Sequence, residues 1–178
     1  RMRESATLMI AACRQGQPLA EGAQVFTLGK SQCEIKFAKG RFLRLSENSS
    51  ITIVRLPARG EVKALARLVK GRIRALIDRM AGDTDFGVYS GTVITAVKGT
   101  DYDMIRKESG EVTVAVNEGR VMVAELKNED IEEVEKIFLA VIMGKIGMDL
   151  REGNMLNVIP GSPFPKLPVP IQKGFPTP

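Results

Sequence analysis

Histidine and tryptophan are absent from this chain of 178 residues, and aromatic residues of all kinds make up only 5%. The missing histidine removes Ser–His and Cys–His nucleophilic pairs, histidine general bases and every His-bearing metal site. The scarcity of aromatics argues against an aromatic-lined cleft and against a platform that stacks single-stranded nucleic acid. The two cysteines, Cys13 and Cys33, are too few for a disulfide framework and lack the spacing of a zinc site. Joined, they would close a loop of about twenty residues worth roughly 3 kcal/mol by chain entropy; reduced, they would be small apolar side chains. Both readings stay open. No apolar run approaches the roughly eighteen residues of a membrane span, and no basic-then-apolar signal segment opens the chain. Neither a metal nor a cofactor is expected, and no membrane span within the chain.

Hydrophobic residues nevertheless make up 44% of the sequence, enough to bury a sizeable core. Val, Ile and Leu supply most of that mass, which suits half-buried strands. Short apolar segments alternate with turns: Leu8 to Cys13, Val25 to Leu28, Gln32 to Phe37, Phe42 to Leu45 and Ile51 to Leu56. Gly-led steps at Gly71-Arg72-Ile73, Gly91-Thr92-Val93, Gly110-Glu111-Val112 and Gly119-Arg120-Val121 each read as a turn feeding a strand. Between Val62 and Met80, apolar residues at 62, 65, 69, 73, 76, 77 and 80 also make a passable helical stripe. Periodicity leaves that segment open, although Arg72 to Asp78 alternates as a strand and Gly71 disfavours a continuous helix.

One helix is expected from Asn128 to about Met143, with Asn128 as cap, acidic residues in the first turns and an apolar face of Ile131, Val134, Phe138, Val141 and Ile142. Leu150 to Ile159 reads as a short strand pair turning through Arg151-Glu152-Gly153-Asn154, and the prolines after Pro160 favour an extended tail. The predicted fold is an all-β core of many short strands (sandwich, roll or irregular solenoid) with one C-terminal helix and a Pro-rich tail. In residue numbers this gives a β domain over 1–127, a helical insertion over 128–148, returning strands over 149–160 and the tail over 161–178.

The net charge of +5 permits attraction to acidic partners without requiring it. Basic residues crowd between 63 and 79, with Lys70, Arg72 and Arg74 as candidate polyanion contacts, but no aromatic lies among them. Nucleic acid is therefore not the expected partner. A carboxylate enzyme would need Asp83, Asp85, Asp101 and Asp103 to converge in one cleft, whereas Asp with Thr and Gly is also ordinary turn chemistry.

The stretch Phe86 to Val123 contains Gly91-Thr92-Val93-Ile94-Thr95-Ala96-Val97-Lys98-Gly99-Thr100-Asp101-Tyr102 and then Val114-Ala115-Val116-Asn117-Glu118-Gly119-Arg120-Val121. With Ile35-Lys36-Phe37 and Asn48-Ser49-Ser50-Ile51 before it, this resembles the FecR-domain family over about residues 8 to 126. The resembling positions are Val97, Gly99, Thr100, Tyr102, Val116, Glu118, Gly119 and Val121, with Tyr102 standing where the family commonly has Phe. The helix after Asn128 lies outside that pattern. The resemblance implies a periplasmic or otherwise extracytoplasmic all-β domain without catalysis. Its partner would be an envelope protein, in a pathway that regulates a sigma factor. The motif residues themselves read as structural: glycines for tight turns and valines for the core.

Overall fold

The computed structural model describes residues 11–38, 40–56, 63–78, 85–97, 99–172 and 175. Among these, alternating apolar residues form β1 (Gln24–Phe26), β2 (Cys33–Ala38), β3 (Arg41–Leu45), β4 (Ser50–Arg55), β5 (Lys63–Ile77), β6 (Asp85–Ser90), β7 (Val93–Val97), β8 (Asp101–Arg106), β9 (Val112–Glu118) and β10 (Arg120–Glu125). The helix α1 (Ile131–Ile142) follows, then β11 (Met148–Arg151), β12 (Asn154–Val158) and β13 (Val169–Pro170).

Within the segment that periodicity left open, Lys63–Ile77 form one continuous strand, β5, and the sheet is organised on it. Its first part pairs with β4 and, in parallel, with β6; its second part pairs with β3 and β8. All thirteen strands thus join one sheet that folds over on itself at β5. Half A runs β1-β4-β5-β6-β7-β10-β11, and half B runs β2-β3-β5-β8-β9-β12-β13. The two halves face each other across a core that includes Ile51, Ala66, Leu68 and Val88 from half A, and Leu43, Ile73, Tyr102 and Val114 from half B.

The fold in β5 lies at Gly71, whose φ of +84° belongs to the left-handed region open to glycine. A Cβ there would lie 2.4 Å from Ser49 Oγ and 2.6 Å from Ser49 Cα, so space and conformation both demand glycine. Ser49 pins the corner: its Oγ accepts from Arg72 N–H at 2.9 Å and donates to the Glu47 carbonyl at 3.1 Å. Its own N–H donates to Thr27 Oγ1 at 3.0 Å. The Asn48-Ser49 step singled out in the sequence is therefore the clamp on the sheet's central bend.

Helix α1 covers the outer face of half A. Val134, Phe138 and Val141 pack there on Leu65, Tyr89, Ile94, Ala96, Ala124 and Leu126. The cap is Asp130 and not Asn128: Asp130 Oδ1 accepts from Glu132 N–H at 3.0 Å, while Asn128 Oδ1 takes Asp130 N–H one step earlier. Ile131 begins the helix but stays 36% exposed. The expected strand pair after the helix is not a hairpin on its own, because β11 joins β10 in half A and β12 joins β9 in half B. Strand pairing satisfies each backbone along an existing edge, which a hairpin packed on neither sheet would not do. In the tail, Phe164 packs against the main core and β13 pairs with β12.

Candidate functional site

Strand alternation sends Tyr102, Met104, Val114 and Val116 inward, which leaves Asp101, Asp103 and Asn117 on the outer face of half B beside Arg72 and Arg74 of β5. These five side chains form one network. Arg74 donates to Asp101 through Nε at 2.8 Å and Nη2 at 2.5 Å, and Arg72 Nε donates to Asp103 Oδ1 at 2.9 Å. Asn117 Nδ2 bridges the two carboxylates at 3.3 and 2.9 Å. The hydrogen bond to Asp101 raises the Arg74 pKa despite partial burial. Asp103 is fully buried, and such a carboxylate is tolerable only with this set of partners.

Beside the network an open groove of about 710 Å³ is lined by Phe42, Arg44, Leu76, Ile77, Asp78, Gly99, Thr100, Asp101 and Glu118. Two chain corners build its end wall. Thr100 Oγ1 donates to the Arg120 carbonyl at 2.7 Å, and Gly119, at φ +86°, carries no Cβ because one would lie 2.9 Å from the Gly99 carbonyl oxygen. Gly99-Thr100 carries the chain from half A to half B, and Gly119 carries it back. The motif positions thus divide into two sets. Val97, Val116 and Val121 fill the core, while Gly99, Thr100, Glu118 and Gly119 shape this end of the groove. Lys98 lies outside the described residues.

Tyr102 is fully buried, and its hydroxyl meets Thr95 Oγ1 of β7 at 2.8 Å. Thr95 Oγ1 donates to the Val88 carbonyl at 2.9 Å, so Tyr102 is the donor in a hydrogen bond that spans the two halves. Burial pushes the phenol pKa well up, opposed in part by Thr95.

The remaining sequence candidates fall in separate places. The basic run does not make one face: Arg67 lies on the helix side, paired with Glu129, and Arg72 and Arg74 lie on the opposite side with their carboxylates. Lys70, exposed at the bend, stands apart from both. Asp101 and Asp103 are brought together, but Asp85 begins β6 in half A on the face away from them, and Asp83 lies outside the described residues. Cys13 and Cys33 are free thiols, the first exposed and the second half-buried on β2 against the core. Burial chiefly, then Cys13 and Glu34, raises the Cys33 pKa. No group of His, Cys, Asp and Glu among the described residues is placed to hold a metal ion. No helix among them is long and apolar enough to cross a membrane.

Sequence reasoning missed two residues. Asn117 gave no signal beyond its outward position. Glu129, taken as a helix-start charge, instead accepts from Arg67, from Arg106 at 3.1 Å and from the Gly91 N–H at 2.6 Å.

The bent sheet and its two corners define an all-β domain in which the motif residues Gly99, Thr100 and Glu118 line one end of an open groove. The model of the family described as FecR protein matches residues 23–122, and the chain belongs to the FecR family. That family is regulatory and typically associated with the cell envelope. Two crystal structures of a candidate anti-sigma factor from Parabacteroides distasonis ATCC 8503, at 1.65 and 2.50 Å, share the fold with a TM-score of 0.59 and 12% identity. The likeness covers 83% of this chain and 59% of that one, so the chain corresponds to little more than half of that protein. No curated protein matches it.

Proposed function

We propose that this chain is a non-catalytic, extracytoplasmic binding domain that docks an envelope protein in a sigma-factor-regulating pathway. The observation that carries this reading is the groove: family-motif residues Gly99, Thr100 and Glu118 line it next to the apolar side chains of Phe42 and Leu76. A surface of that kind, with apolar side chains beside charged ones, suits a protein partner. The Asp–Arg pairs beside it hold their charges in each other's company, as structural networks do. Polyanion binding through the basic run is the weaker reading, because Arg72 and Arg74 are already neutralised by Asp103 and Asp101.

The test is a photo-crosslinking residue placed at position 42, with position 139 on α1 as control, in the envelope of the host. We expect position 42 to capture one defined envelope protein at low and high salt, and position 139 not to. Salt-labile capture of nucleic acid or wall polymer without a protein would overturn the reading in favour of the cationic one.

A further inference from the structure

A β-sheet edge offers unpaired backbone donors and acceptors to any strand that arrives, and proteins block it with charge, bulges, brevity or proline. Among the described residues, three of the four edges carry a recognisable block. β2 holds Glu34 and Lys36 and a register shift between Lys36 and Ala38. β11 holds Asp149, which pairs with Arg120 and Arg151. β1 is three residues long. The fourth edge, β12, reads Asn-Met-Leu-Asn-Val, with no charge in five residues.

What lies on that edge is the tail. Ile171 N–H donates to the Gly153 carbonyl at 2.9 Å, and the register places Pro170 opposite Asn154 and Val169 opposite Met155. Antiparallel partners alternate between bonded and non-bonded pairs. Ile171 and Val169 therefore turn their amides toward β12, and Pro168 and Pro170 occupy the positions whose amides would face outward. Proline has no such amide. The tail strand thus satisfies β12 on one side and shows no N–H from Pro168 or Pro170 on the other. Phe164, packed on the core, anchors it, while Leu167 and Val169 are 79% and 44% exposed and contribute little hold.

We propose that the segment from Phe164 to Ile171 guards the β12 edge, and that the occupant it keeps out is β12 of a second copy of this chain, pairing antiparallel about a two-fold axis. The uncharged β12 sequence puts no like charges opposite each other in such a pair. The idea is independent of groove docking.

The test uses the full chain carrying Val169→Pro with Ile171→Pro, which removes both inward donors, and separately Phe164→Ala, which removes the tail's anchor on the core and leaves the sequence of β12 and β13 intact. Self-association is read by analytical ultracentrifugation across a concentration series, and amide exchange is followed at Asn157, whose N–H faces the tail side. We expect both variants to associate at least about tenfold more tightly than the parent. In the first, Asn157 should become protected as concentration rises. Unchanged association in both folded variants, or association that leaves Asn157 exchanging freely, would overturn the proposal. Should the first variant fail to fold, the second decides alone.

Discussion

Tyr102 shows how much one side chain does in this fold. Its hydroxyl is buried and pairs across the sandwich with Thr95, so Tyr102→Phe should cost about 1 kcal/mol, measured by denaturant unfolding. Alkali gives a second reading. Because burial raises the folded phenol's pKa, the unfolded chain ionises first, near pH 10. Above that pH the unfolded state binds fewer protons than the native one, so stability is intact below about pH 10 and falls as pH rises toward the folded value. Its slope approaches about 1.4 kcal/mol per unit for one such group. The Tyr102→Phe variant should lose stability less steeply between pH 10 and 11. An equal slope in both proteins would mean that Tyr102 is not the group responsible. Tyr89, raised by burial against the Arg67 charge, leaves a residual slope in the variant.

Among the elements, the helix and most of the short strands were legible as apolar segments between turns, although Ala11 to Cys13 of the expected Leu8–Cys13 strand form none and Leu8 to Ile10 lie outside the described residues. β5 was not, and the reason lies in its bend. Inward side chains are Ala64, Ala66 and Leu68 before Gly71, then Ile73, Ala75 and Ile77 after it, so the alternation slips from even to odd positions. Leu65 is buried as well, under the helix. A period of two with a phase slip imitates a helical stripe over the same window. The start of α1 misled by one side chain. Acidic residues were read as serving the helix dipole, yet Glu129 ties Arg67 and Arg106 to the sheet. The Arg106 pKa is lowered by burial and then by the Arg67 charge, so removal of the shared carboxylate leaves two cations facing each other. Glu129→Gln is therefore expected to destabilise by about 1–2 kcal/mol, and Asp130→Ala, which removes only the cap, by about 1 kcal/mol. Chemical denaturation of the two variants side by side checks the order.

At the scale of the whole molecule, sharing β5 between the halves makes them one cooperative unit. Half A cannot open without stripping hydrogen bonds from the strand that also supports half B. With no tryptophan in the chain, the two tyrosines are convenient probes: Tyr89 is on β6 in half A and Tyr102 on β8 in half B. Single-tyrosine variants should unfold at the same denaturant midpoint by fluorescence and by circular dichroism. Separate midpoints would show that the halves melt independently. The groove and the ion network, by contrast, were hidden from the sequence. Arg72 meets Asp103, and Arg74 meets Asp101, only because β8 lies beside the second part of β5 in one particular register. No local pattern encodes a pairing between segments so far apart along the chain.

Ser49 makes the bend at Gly71 a latched crease. A folded sheet of paper flexes readily about its crease and hardly at all in any other direction. In this protein the crease is a single residue held shut by a serine hydroxyl and the backbone around it. Among the described residues that crease is where one strand runs unbroken from half A into half B, so Ser49 and Gly71 fix the angle at which the helix-covered face and the groove face stand to each other.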